Sequence, residues 1–126
     1  MSFQFDPNGE GFQKVLKDYQ VETLKLVWKR AEEGVISREA WQHVNEAFKG
    51  EKTVSRASII NFLNDMVDNN VLDYKEESGK GGYHRVYFPK LDDSGYKKYI
   101  ARTVIESLWR DFPEETLEAA KTLDLS

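Results

Sequence analysis

Arg56, Ser58, Asn61 and Asn64 lie within nine residues of one another and carry the side chains best suited to hydrogen-bond phosphate oxygens and base edges. Turned at about 100° per residue, a helix through this stretch puts Ala57, Ile60, Asn61, Asn64 and Asp68 on or near one side, a small and polar face shaped for a groove. Arg56 and Ser58 at the start of such a helix can hold phosphate, and Asn61 can make the paired donor–acceptor contact that asparagine makes to adenine. Ile59, Phe62, Leu63 and Met66 recur at helical spacing on the other side and must pack against a core.

Other chemistry has little to stand on. The chain has two histidines, His43 and His84, and no cysteine, so thiolate metal sites and disulfides are excluded, and no metal or cofactor is expected. The carboxylate pairs Glu32-Glu33, Glu76-Glu77 and Glu114-Glu115 are sequence neighbours. On a helix such neighbours do not share a face, so they read as solvated charges rather than a general acid and base. The tip Gly79-Lys80-Gly81-Gly82 has the composition of a phosphate loop but lacks the Lys-Ser/Thr ending and the helix that would follow. An enzyme is therefore not expected.

The elements that must present the 56–64 face can be read in order. Asp18 can cap a helix to about residue 33, with Val21, Leu24, Val27, Trp28 and Ala31 inward, and Gly34 ends it. Val35 and Ile36 are too short for more than an edge strand. Ser37 caps a helix over 38–49 packed through Ala40, Trp41, Val44, Ala47 and Phe48. Ser55 caps the central helix, Asn69 and Asn70 stop it because asparagine tolerates left-handed backbone, and Val71 and Leu72 resume as strand. The glycine-rich tip and the β-prone run 83–88, closed by Pro89, complete a hairpin. Helix, helix, helix and hairpin is the order of a winged helix-turn-helix, in which one helix enters the major groove and the hairpin touches flanking backbone. On the wing, Lys80, His84 and Arg85 are the candidates for that contact, against Glu76 and Glu77.

Beyond the wing, a helix over 95–111 follows Asp92, Asp93 and Ser94, and Pro113 opens a last one through residue 123. Tyr96, Tyr99, Ile100 and Thr103 cluster on one side of the first of these, with Ala101, Ile105, Leu108, Trp109 and Phe112 nearly opposite. A helix apolar on two sides wants two partners, and a second copy of the chain about a two-fold axis is the most economical choice. Tyr96, Tyr99, Ile100, Ile105, Leu108, Trp109, Phe112 and Leu117 are the expected dimerisation residues.

At 126 residues and 40 % hydrophobic content the chain suits one core with an appended arm. The formal charge of −4 argues mildly against an indiscriminate nucleic-acid binder. Residues 20–90 hold 11 basic and 11 acidic side chains and residues 91–126 hold 5 and 8, so the wing-bearing part is neutral and the tail carries the excess. Residues 1–11, with Phe3, Phe5 and a turn-rich run from Asp6, read as a loose arm. No signal peptide or membrane-length apolar run is visible, and the cytoplasm is the default expectation.

Leu16-Lys17-Asp18 followed by Glu22-Thr23-Leu24-Lys25-Leu26-Val27-Trp28, together with Val54-Ser55-Arg56-Ala57-Ser58-Ile59-Ile60-Asn61-Phe62-Leu63 and its continuation to Leu72, resembles the penicillinase-repressor family of winged-helix transcription regulators, over about residues 16–112. The resemblance implies an N-terminal domain that binds an operator palindrome and C-terminal helices that hold a dimer. It also implies relief of repression by proteolysis or, in a copper-responsive branch, by metal; that branch's motif is absent here. Family members usually carry a basic residue where this chain has Ala57 and Ile60, and often at Asp65, and a glycine where it has Asn70. Fewer cations on the groove face imply weaker binding with a flatter salt dependence.

The resulting expectation is an α+β fold, mainly α: an N-terminal arm over 1–17, a winged helix-turn-helix DNA-binding domain over 18–91, and C-terminal dimerisation helices over 92–126. The DNA-binding set is Arg56, Ala57, Ser58, Ile60, Asn61, Asn64, Lys80, His84 and Arg85. The function expected is a sequence-specific, homodimeric transcriptional repressor on a palindromic double-stranded operator, with any small-molecule or protein inducer left open; Trp28, Trp41 and Trp109 could line a pocket for one, but tryptophans at helical spacing are more often core. The alternative is a winged-helix protein-interaction module without specific DNA binding.

Overall fold

The computed structural model describes residues 3–79 and 82–123. The fold is α+β and mainly α, with five α-helices and one small antiparallel sheet among the described residues. The chain forms two compact units, Met1–Asp93 and Ser94–Ser126.

In the first unit a 3-10 turn, Gly11–Lys14, leads into α1 (Asp18–Lys29), β1 (Val35–Ile36), α2 (Ser37–Ala47), α3 (Arg56–Asp68) and the hairpin β2 (Leu72–Gly79) and β3 (Gly82–Pro89). The sheet order is β1-β3-β2, so β3 is central. Val35 and Ile36 pair with Tyr87 and Val86, and Leu72 to Gly79 pair in register with Pro89 back to Gly82. Three helices with a short first strand returning to a long hairpin form the winged helix-turn-helix arrangement.

α3 owes its orientation to its apolar stripe. Ile59, Phe62, Leu63 and Met66 are all buried, together with Leu24 and Val27 of α1 and Ala40 and Val44 of α2. Ser55 caps α3 as expected, its hydroxyl accepting from the Ser58 N–H at 3.1 Å. At the other end Asn70 adopts φ 62°, the Asn70 N–H reaches the Val67 carbonyl and the Val71 N–H reaches the Met66 carbonyl. That pair of bonds is a Schellman ending, and it turns the chain directly into β2.

The place where α3 begins is set by α2. Asn45 donates to the Val54 carbonyl at 3.0 Å and accepts from the Val54 N–H at 2.8 Å, and the Trp41 indole N–H donates to the same carbonyl at 3.1 Å. One backbone residue is thereby held by three bonds, immediately before the cap.

Several boundaries differ from the sequence reading. α1 starts at Asp18 with Lys17 as its cap, the Gln20 side chain accepting from the Lys17 N–H at 2.9 Å. It ends at Lys29 rather than near residue 33, because the chain must turn to reach Gly34 at φ 81°; Ala31, expected inside, is exposed. α2 is capped by Ile36, whose N–H goes to the Glu39 side chain at 3.1 Å, and Ala47, also expected inside, is exposed. The segment 1–11, expected to be loose, is tied back at one point, where the Asp6 N–H donates to the Lys14 carbonyl at 2.7 Å; beyond it the Phe12 ring lies 5.4 Å from that of Trp28 and Leu16 is buried. Phe3 and Phe5 remain partly exposed.

In the second unit, α4 (Asp93–Asp111, its first residue shared with the boundary) and α5 (Pro113–Lys121) follow one another with Phe112 between. Pro113 occupies the first helical position, where its missing N–H costs nothing.

Gly34 packs its α-carbon against β3. A β-carbon there would stand 2.5 Å from Val86 Cγ1 and 2.8 Å from Phe88, whereas one at Gly50, with a similar φ of 87°, would meet nothing. Gly34→Ala is therefore expected to destabilise the protein by roughly 1–3 kcal/mol more than Gly50→Ala in urea unfolding. Equal losses would show that backbone strain alone governs both sites. A second expectation concerns Asp18, which pairs with Lys52. The hydrogen bond from Lys52 holds its carboxyl below the usual range, against an upward push from partial burial and with help from the Tyr19 N–H. A depressed carboxylate stabilises the fold above its ordinary pKa and loses that contribution as pH falls through the folded value. Asp18→Asn should therefore lose less stability than wild type between neutral pH and about pH 3, as followed by circular dichroism.

Candidate nucleic-acid interface

With its inner stripe buried, α3 turns Arg56, Ala57 and Asn61 outward, all exposed, with Ser58, Ile60 and Asn64 partly covered. Among the described residues Arg56 makes no ion pair and Asn61 no hydrogen bond. The Ser58 hydroxyl sits 2.8 Å from that of Ser55 and belongs to the cap.

The hairpin stands beside this face. Residues paired across an antiparallel ladder share a side, so Tyr74, Glu76 and Ser78 of β2 lie with Tyr87, Arg85 and Tyr83 of β3. This is the side toward α3, because Asn64 Oδ1 accepts from Arg85 Nη1 at 3.0 Å and from the Tyr87 hydroxyl at 2.6 Å. The Arg85 guanidinium also lies over the Tyr74 ring, 3.9 Å from its centroid. Burial pushes the Tyr87 hydroxyl pKa up. Lys75 and His84 are on the other side of the ribbon; Lys75 lies 5.2 Å over Phe88, and His84 is exposed opposite Glu77. Lys80 falls outside the described residues. Tyr83, which the sequence reading passed over, is 81 % exposed on the α3 side near the tip; strand alternation back from Tyr87 and Arg85 could have found it.

Charge across α3 and the hairpin is balanced. Residues 56–85 carry four Lys or Arg and five Asp or Glu, so this face has single placed cations rather than a broad positive field.

No protein-family model matches the chain, and no curated protein matches it in sequence. A solved structure from Thermoplasma acidophilum, of a protein described as a candidate transcriptional regulator, is similar to 84 % of this chain and 96 % of its own, at 19 % identity and a TM-score of 0.48.

On α4, Ile105, Leu108 and Trp109 are exposed at i, i+3 and i+4, Phe112 just beyond its end is exposed, and Leu117 of α5 is exposed as well. Tyr96 is different: it is 2 % exposed and offers no surface to another chain, Tyr99 stacks against it at 5.8 Å, and Ile100 is partly covered. The three tryptophans do not line one pocket. Trp28 and Trp41 each spend the indole N–H on a backbone carbonyl, of Leu91 and Val54, and Trp109 is on the exposed face of α4. A cleft of about 400 Å³ lies instead by the N-terminal turn, lined by Phe5, Lys14, Leu16 and Gln20 among others. Among the described residues no helix is long and apolar enough to cross a membrane, and no three His, Cys, Asp or Glu side chains are grouped to hold a metal ion.

Proposed function

We propose that this chain is a DNA-binding transcriptional regulator, a repressor of the penicillinase-repressor kind acting as a homodimer on a palindromic operator. The observation that carries the reading is the outward face of α3: Arg56, Ala57 and Asn61 stand exposed on a helix whose other side is locked into the core, with a hairpin alongside. In this reading Asn61 takes the adenine-type contact, Arg56 and the helix start take phosphate, Ala57 and Ile60 meet base edges by van der Waals contact, and Lys80 and His84 lie along flanking backbone.

The dimer is supported by the arm's apolar stripe, Ile105, Leu108, Trp109 and Phe112, across which two copies can meet about a two-fold axis.

A second reading, a protein-interaction module, is favoured by one observation, the lack of a positive excess over residues 56–85.

Selection of genomic duplexes at low salt separates the two. The regulator reading expects a recovered sequence on which Asn61→Ala costs about 1–3 kcal/mol. It also expects Arg56→Ala to lower the log–log salt slope by about 0.9. Retention of no duplex at low salt overturns it in favour of the second reading. For the arm, sedimentation should give a dimer for the wild type and a monomer for Trp109→Glu; a monomeric wild type removes the palindrome from the proposal.

A further inference from the structure

Two donors and one aromatic ring converge where α3 meets the hairpin. Asn64 Oδ1 accepts from both Arg85 Nη1 and the Tyr87 hydroxyl, and a carbonyl oxygen has two lone pairs, so its accepting capacity is filled. The Arg85 guanidinium is held a second time, flat against Tyr74. Tyr74 and Tyr87 face each other across the β2–β3 ladder, so one side chain of α3 is bonded to the inner strand, and through Arg85 to the outer one.

We propose that Asn64, Arg85, Tyr87 and Tyr74 form a clasp that fixes the hairpin against α3, and that Arg85 is a positioning residue of the interface rather than a phosphate ligand. The inference rests on the reading of α3 as the duplex-facing helix.

Its consequences differ from those expected of Asn64 and Arg85 as ligands. With Oδ1 occupied, Asn64 retains only its amide N–H groups for an outside partner and lacks the acceptor half of the adenine contact. That leaves Asn61 as the asparagine of α3 with both halves free. Arg85, stacked and hydrogen-bonded about midway along the ribbon, sets the width of the groove between helix and wing.

Hydrogen exchange of the β2 and β3 amides in the full chain tests the clasp without any ligand. Asn64→Leu, of similar size but with no acceptor, and Arg85→Ala should each accelerate exchange there roughly tenfold. Asn64→Asp should keep the protection, since a carboxylate still accepts from both donors; a side chain needed only to fill space would give the opposite order. Arg85→Lys should not restore protection, because an ammonium cannot stack flat on Tyr74 while reaching Asn64. Should Arg85→Ala fail to fold, Tyr87→Phe removes one donor alone and should give a smaller acceleration in the same amides.

Binding of a mixed-sequence duplex at low salt gives the second arm. Arg85→Ala is expected to weaken binding with the wild-type salt slope retained. Unchanged exchange in the variants that fold overturns the clasp. So does a slope lowered by about 0.9 in Arg85→Ala together with full recovery in Arg85→Lys, the signature of a phosphate contact. A wild type that binds no duplex removes the proposed function, while the exchange measurement still decides the clasp.

Discussion

The burial of one stripe on α3 is the constraint from which the other features follow. Ile59, Phe62, Leu63 and Met66 can leave water together in only one rotation of the helix about its axis. That rotation, and no feature of the outer residues themselves, is what turns Arg56, Ala57 and Asn61 to the outside. Residues that look functional are thus aimed by residues that do not.

Position along the axis is controlled separately. Asn45 and Trp41 grip Val54 one residue before the Ser55 cap, and the Schellman ending at Asn70 delivers the chain into β2 without slack. Between these ends, Asn64 bonds to the central strand of the sheet. β3 is in turn the strand through which β1 and β2 are joined. Helix, hairpin and the short strand after α1 therefore share one mechanical reference, and Gly34 is the point where that strand approaches closely enough to exclude a side chain.

Much of this was legible in residue order. The stripe of α3, its serine cap, the left-handed asparagine and the glycine-tipped hairpin each have a local cause, written within a few residues of where they act. What was not legible depends on partners distant in the chain. That Asn64 would be bonded to residues 21 and 23 positions away follows from register and helix rotation jointly, and no spacing within α3 reports it. Asn45, a polar residue in the last turn of α2, carries no sign that its amide is spent on Val54. On the arm, two apolar sides were visible in the periodicity of α4, but which residues are covered was not: Tyr96 is buried while Trp109, thirteen positions on, is open. Before α1, the turn composition of residues 6–11 was visible in the sequence, but the bond from the Asp6 N–H to the Lys14 carbonyl joins residues eight positions apart and no local signal reports it.

The ladder order leaves β2 with a partner on one side only. Unpaired N–H and C=O groups along such a rim are a template on which a strange strand can grow, and long bare rims are where native proteins begin to aggregate. Here the exposed middle of β2 is Lys75, Glu76 and Glu77. Three consecutive charges on a projecting strand make stacking of identical copies electrostatically costly and wet. The wing can extend well away from the core and still keep the molecules apart in a crowded solution.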